Sequence, residues 1–141
     1  YTYSGHPVAA AVALENLRIL EEEKIIENVE KNSSSYIESK WEELSEHPMV
    51  GEARIQGMMG AIELSPDKNN KTPFRAPPGT AGLKTREICF ENGLIMRHVY
   101  DRMIISPPLV INESEIDELV SLAWKCLDIS MKQLKQEGLW S

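Results

Sequence analysis

The apolar positions of this chain change period several times, and each change predicts a new element. Val8 to Leu14 is an almost unbroken apolar stretch inside residues 7–21, and its side chains cover nearly every direction around a helix. Such a helix is expected to be buried on most sides, against a partner that this segment need not supply. Pro7 suits its first turn, with Ser4 or Gly5 near the cap. The run Glu21-Glu22-Glu23-Lys24 ends that character. Ile25, Ile26, Val29, Ser33, Tyr36, Ile37, Trp41 and Leu44 then recur at helical spacing and predict a second, amphipathic helix. His47-Pro48 stops it, because the residue before a proline leaves the helical region.

Extended segments follow. Val50–Gln56 and Met58–Leu64 read as two strands joined at Gly57, with Gly60 marking a close backbone approach or a bulge. Ser65 to Gly79 is dense in Pro, Asn, Lys and Gly and reads as loop. Thr80 is placed as the cap of a helix that ends at Asn92-Gly93, where glycine supplies a left-handed residue. Leu94–Val99 and Met103–Ser106 are the next strands, separated by a turn at Tyr100-Asp101-Arg102 and stopped by Pro107-Pro108. Asn112 with Glu115 forms a capping-box start. Ile116, Leu119, Val120, Ala123, Leu127 and Leu134 continue as one stripe of a long final helix. The order of elements predicts an α+β layer: a small, mostly antiparallel sheet covered by helices and preceded by a long connecting helix.

Composition narrows the function classes. At 141 residues the chain supports one core, and 42% hydrophobic with 26% charged residues is ordinary for a globular domain. A formal charge of -7 and a pI near 5.0 disfavour nucleic acid and anionic lipid as partners. The longest apolar run falls well short of the ~20 residues of a membrane span. With no targeting segment at its start, a cytoplasmic setting is expected. Cys89 and Cys126 form no CxxC pair, lie in separate predicted helices and are expected to be buried free thiols. A hydrolase built on either thiol has no local motif that would place a base beside it. His6, His47 and His98 lack metal-ligand spacing, so no metal site is expected.

The opening Tyr1-Thr2-Tyr3-Ser4-Gly5-His6-Pro7 carries the first candidate chemistry. Hydroxyls and free amides at a helix start can hold an anion, although a hydroxyl there can also be a plain cap. The chain thus opens, without Met, on half of an anion site, and reads as the C-terminal piece of something larger. Arg97 follows a Leu-Ile-Met run at a strand end. It can reach into a cleft and bind a carboxylate with its planar fork, or stay solvated beside Asp101 or Glu91.

That opening block, together with Gly93-Leu94-Ile95-Met96-Arg97 and Ile105-Ser106-Pro107-Pro108-Leu109-Val110-Ile111, closely resembles class III aminotransferases. These are pyridoxal-phosphate enzymes of fold type I, in the α/β PLP-dependent transferase superfamily. Ser-Gly-His-Pro at positions 4–7 is similar to the ω-amino acid or amine:pyruvate branch; the ornithine branch carries Gly-Asn-Pro there. The resemblance divides the chain into residues 1–21, a phosphate-site segment and connecting helix from the large domain, and residues 22–141, the C-terminal small domain. It implies that Thr2 reaches the cofactor phosphate of the opposite subunit of a homodimer, and that Tyr1 lines the same pocket. It implies further that Arg97 pairs with the substrate carboxylate. Arg54, Gly57 and Gly60 resemble a family Arg-x-x-Gly-x-x-Gly stretch, read first as close strand packing and second as access to the cleft.

The resemblance also identifies what these residues do not contain. Transamination needs a lysine covalently holding pyridoxal 5'-phosphate and a carboxylate on its pyridinium nitrogen, and in the family both lie upstream. The nine lysines here sit on expected polar helix faces, in the loop or beside the last stripe. The segment alone is therefore expected to be inactive, while its parent would move an amino group from an ω-amino acid, diamine or amine to pyruvate. Two alternatives stand beside that expectation. One is a non-catalytic folding or dimerisation module of the same ancestry; the other is an aminomutase or decarboxylase on the same fold.

Overall fold

The structure is a computed structural model that describes residue 2, residues 4–70 and residues 72–140. Helix α1 spans Pro7–Glu22. Its cap is His6, with φ −61° and ψ 119°, rather than Ser4 or Gly5. Pro7 causes the shift: it holds His6 extended and supplies a first helical residue whose missing N–H costs nothing there. Within the described residues the expected burial of α1 is not met. It contributes no buried side chain, and Val8, Val12, Leu14 and Leu17 are 61–69% exposed. Lys24, placed from the sequence on a polar helix face, instead takes a left-handed φ of 52° and breaks the chain after α1.

The second amphipathic stretch is helical throughout but not uniform. It comprises α2 (Ile25–Asn28), a π-helical turn (Val29–Ser33), α3 (Ser34–Glu43) and a 3-10 turn (Leu44–Glu46). The wide π turn shifts the phase of the stripe. Ser33 at its end and Ile37, Trp41 and Leu44 beyond it are buried, whereas Ile26 before it stays out in solvent.

Strands β1 (Val50–Gln56) and β2 (Met59–Leu64) form a hairpin whose two-residue turn, Gly57-Met58, has Gly57 at φ 57°. With β3 (Arg97–Val99) and β4 (Arg102–Ile105) they make one antiparallel sheet of order β1-β2-β4-β3. Arg102, expected in the turn, is the first residue of β4. Gly60 is a close approach and not a bulge: a Cβ there would lie 3.0 Å from both Trp41 Cε2 and Ile105 Cγ1. The register shift falls instead between Val50 and Glu52.

Directly paired residues of an antiparallel sheet share a face. Ile62, Leu64, Met103 and Ile105 point into a core filled by Ile37 and Trp41 of α3 and by Ile116, Ala123 and Leu127 from the last helix. Helix α5 (Glu113–Gln136) begins with the expected capping box, Asn112 Oδ1 accepting from Glu115 N at 3.0 Å. It ends at Gly138, φ 71°, with Leu139 N donating to Leu134 O. Leu139 O then accepts from Arg75 N at 2.9 Å, and Trp140 meets Phe74 edge-on at 5.8 Å. These contacts hold the Ser65–Gly79 loop against the body.

Helix α4 spans Thr80–Glu91, and its cap is Gly79 at φ 92°, not Thr80. Thr80 already lies inside the helix, and its hydroxyl donates back to Pro77 O at 2.7 Å. A glycine cap has no side chain to offer, so the free N–H groups are satisfied from elsewhere. Asp101 does this across the fold, Oδ2 accepting from Gly79 N and Oδ1 from Gly82 N, each at 3.0 Å. The approach leaves no room at Gly82, where a Cβ would stand 2.0 Å from Tyr100 O.

His47 closes the 3-10 turn after α3 as a fully buried side chain. Its Nδ1 accepts from Met49 N at 3.1 Å, so the proton sits on Nε2, 3.2 Å from Asp128 Oδ1, and the ring stands edge-on to Trp124. Burial lowers its pKa from the ordinary value, only partly opposed by Asp128. A second proton would also place a donor against Met49 N–H.

Two outcomes follow from this packing. Gly82→Ala should destabilise the fold by roughly 2–3 kcal/mol, read as a lower urea midpoint, because backbone must move to admit one methyl; an unchanged midpoint would mean that the turn is free to retreat. The stability that neutral His47 lends is complete above the unfolded histidine pKa, about 6.5. It is lost as pH falls through the depressed folded value, since the unfolded chain binds the proton first. Denaturation between pH 8 and 5 should show that decline in the wild type and a flatter profile in His47→Gln.

Candidate functional site

The outer face of the sheet is built from the other half of each alternation. Arg54 pairs with Ala61, Ala61 with Ile104, and Ile104 with Arg97, so these four form one row across all four strands. The next row is Glu52, Glu63, Arg102 and Val99. Two carboxylates directly opposite repel, and each is balanced by a neighbouring cation. Arg54 Nε lies 2.6 Å from Glu52, and Arg102 Nη2 lies 3.3 Å from Glu63. No helix of the described residues covers this face.

Arg97 stands at the edge of that row and is exposed. Among the described residues it takes part in no ion pair or side-chain hydrogen bond. Its two sequence-level partners are occupied or distant in role: Asp101 is engaged by α4, and Glu91 forms no ion pair among the described residues. Ile104, the strand partner of Arg97, lines an open trough of about 360 Å³ together with Arg54, Met59, Gly60 and Ala61; Arg97 stands one strand further out and is not part of its lining. Arg54 thus lines the trough and Gly60 packs against Trp41, while Gly57 serves the hairpin turn. A free guanidinium next to an apolar floor can seat a small carboxylate and leave its organic part on the floor.

Thr2 is exposed in a turn ahead of α1, together with Ser4. The first turn of α1 holds no acidic residue and its cap makes no side-chain hydrogen bond, so the leading N–H groups of the helix remain available. A short hydroxyl beside free helix amides is a suitable donor set for a phosphate. Tyr1 lies outside the described residues. Among the described residues no hydrogen bond, ion pair or cavity joins Thr2 to Arg97; each offers half of a site by itself.

The remaining candidates take structural places. Cys89 and Cys126 are buried and free, one on α4 and one on α5. Burial pushes the Cys89 thiol up to about 12, which leaves it a poor nucleophile. His98 shares the core face with Met103, and its Nδ1 is buried without a partner among the described residues. A more enclosed cavity of about 230 Å³ lies under the Ser65–Gly79 loop, lined in part by Ser65, Phe74, Tyr100 and Asp101. It contains neither Thr2 nor Arg97. Asp101 entered the sequence analysis as a turn residue and as a partner for Arg97, and its capping of α4 was missed; glycines at positions 79 and 82, which bring no side-chain cap of their own, were the available signal.

Comparison with known proteins gives this geometry its class. Solved transaminase structures superpose closely. One, described as a transaminase with L-ala, shares 40% identity and a TM-score of 0.86 over 95% of this chain and 31% of its own. A thermostable ω-transaminase mutant from Pseudomonas jessenii shares 38% and 0.87 over 95% of this chain and 29% of its own. The fold is therefore that of a piece of a transaminase. Among curated relatives, a putrescine–pyruvate aminotransferase of Pseudomonas aeruginosa is 62% identical over 128 residues, which is 91% of this chain and 28% of that protein. A mitochondrial gamma-aminobutyrate transaminase of Solanum lycopersicum is 36% identical over 138 residues, 96% of this chain and 26% of that protein. The profile of the family described as aminotransferase class-III matches residues 1–127, and the chain belongs to that family. It spans less than a third of the length of these relatives.

Proposed function

We propose that this chain is the C-terminal small domain, residues 22–141, with a connecting helix and phosphate-site segment, residues 1–21, of a pyridoxal-phosphate aminotransferase that passes amino groups from an ω-amino acid, diamine or amine to pyruvate. The observation that carries this reading is Arg97: a guanidinium unpaired among the described residues, at the edge of an open sheet face, in a chain 62% identical to a putrescine–pyruvate aminotransferase. A diamine donor carries a second ammonium group where a keto-acid acceptor carries a carboxylate. An unpaired planar cation beside that face serves the carboxylate of the acceptor, or of a donor that has one, and leaves the distal ammonium of a diamine to other groups.

When bound, pyridoxal phosphate supplies the electron sink that lets an amino group leave one carbon and join another. Thr2 and the free amides of α1 would hold its phosphate, and Tyr1 would wall the same pocket. Arg97 would orient the keto acid by two parallel N–H···O bonds. The lysine that carries the cofactor would come from residues outside these 141. In this reading Thr2 serves the partner's cofactor, so the working protein is a homodimer, and we place it in the cytoplasm. The exposed Val8, Val12, Leu14 and Leu17 support a larger assembly over a self-contained module, which would blunt such a face with charge.

In the whole protein, Arg97→Ala should raise the KM for pyruvate by about tenfold to a hundredfold, against a much smaller change for an amine without a carboxylate. Equal losses for both would remove Arg97 from the clamp. Thr2→Ala should weaken cofactor retention several-fold, measured as apo-enzyme reconstitution against cofactor concentration; an unchanged midpoint would leave Thr2 a plain turn residue.

A further inference from the structure

The strand that carries Arg97 is poorly held by its own pairing. β3 is three residues long, lies at the edge of the sheet and has β4 as its only neighbour in the sheet order. Short edge strands open readily unless something else fixes them. Upstream, Leu94 and Met96 are buried and anchor one end. Downstream the strand runs into Tyr100-Asp101, and there the structure concentrates its contacts.

Asp101 bonds three times to two other elements. Its Oδ2 accepts from Gly79 N at 3.0 Å, its Oδ1 from Gly82 N at 3.0 Å, and its backbone carbonyl from Leu64 N at 2.8 Å. The side chain thus binds the start of α4 and the main chain binds the end of β2. A carboxylate on free helix amides is favoured both as a charge-assisted acceptor and by the partial positive charge there. The preceding Tyr100 takes φ 52°, a conformation non-glycine residues adopt only when their surroundings impose it. Its carbonyl oxygen occupies the space that any side chain at residue 82 would need.

We propose that Asp101 is a positioning residue for keto-acid recognition: by stapling the β3–β4 turn to the amino end of α4, it fixes the height and angle at which Arg97 stands over the open sheet face. This rests on the reading of Arg97 as the carboxylate clamp. A bidentate fork tolerates only small errors of distance and plane. Without the staple, β3 rocks about its single neighbour and the fork loses its geometry. Asp101 itself touches no substrate, so its removal acts on acceptor binding through Arg97 and not on chemistry at the cofactor.

The test uses the whole enzyme loaded with cofactor, with pyruvate and a carboxylate-free amine as separate probes. Asp101→Ala should raise the KM for pyruvate about tenfold while kcat changes less than about threefold, and the amine should suffer markedly less. Asp101→Asn, which keeps one carbonyl acceptor but loses the charge and the second acceptor, should show the same discrimination at reduced size, about a threefold rise in the pyruvate KM with the amine KM unchanged. In an Arg97→Ala background Asp101→Ala should add no further discrimination between the probes. Equal weakening of both probes by Asp101→Ala, or undiminished discrimination added on top of Arg97→Ala, would overturn the role. Should Asp101→Ala fail to fold, Asp101→Asn decides, and a pyruvate KM no more affected than the amine KM counts against it. A non-discriminating Arg97→Ala would sink the clamp, and this role with it. A discriminating Arg97→Ala beside a non-discriminating Asp101→Asn would sink Asp101 alone.

Discussion

Trp41 against Gly60 sets the distance between α3 and the sheet, and the rest of the small domain is arranged around that contact. The indole is fully buried, its Nε1 donates to Ala61 O at 3.3 Å, and its ring lies where a residue-60 side chain would begin. A large aromatic can cover two strands only if one of them offers bare backbone. Once α3 is seated, Ile37 and Leu44 follow it into the core, and α5 closes over Met103 and Ile62. One face of the sheet is then wholly committed to packing. The opposite face, with Arg54, Ala61, Ile104 and Arg97 in one row, is left open.

That division explains how one sheet can be both rigid and available. Alternation places Ile62 and Met103 inward and Ala61 and Ile104 outward on neighbouring positions of the same strands. Arg97 inherits its exposure from this alternation, since it pairs with Ile104 while the next residue, His98, pairs with buried Met103. A register slip of one residue would bury the guanidinium and expose a methionine, so core packing and site orientation are protected by the same energy. The α4 end of the sheet adds the second constraint. Gly79 and Gly82 leave amides bare, Asp101 answers them, and the hairpin carrying Arg97 is drawn against the helix.

Family membership, the small antiparallel sheet and an aminotransferase ancestry agree with one another from three directions: the opening Thr-Tyr-Ser-Gly-His-Pro, the superposition on transaminases and the match over residues 1–127. The physical reading of α1 belongs with them. The apolar residues of its first half cover nearly every direction, as a helix enclosed by other elements requires, yet none of its side chains is buried among the described residues. An apolar helix in water carries an unfavourable surface that only further protein relieves.

Much of this was legible in the order of residues, and the limits have local causes. Period and punctuation located the main helices and strands, because alternation, proline and capping chemistry act over a few neighbouring positions, though the second helix is interrupted by a π turn and the strand expected over Leu94–Val99 is only Arg97–Val99. Asn112 with Glu115 and Gly93 after Asn92 behave as their types dictate, since each bonds within one turn. One error fell where a distant group replaced a local one; others, such as the α1 cap at His6, turned on a neighbouring residue. Thr80 was a reasonable cap by type, but Asp101, nineteen to twenty-two positions from the amides it binds, made a side-chain cap unnecessary. The π turn at Val29–Ser33 moved Ile26 off the buried stripe, and nothing in the spacing of apolar residues announces a change of helical pitch. The sequence by itself determined which residues could be core, turn or carboxylate-binding cation, because those are properties of side chains and near neighbours. Which face Arg97 occupies, that it is left without an ion-pair partner among the described residues, and what braces its strand were decided only when β2, β4 and α4 met in space.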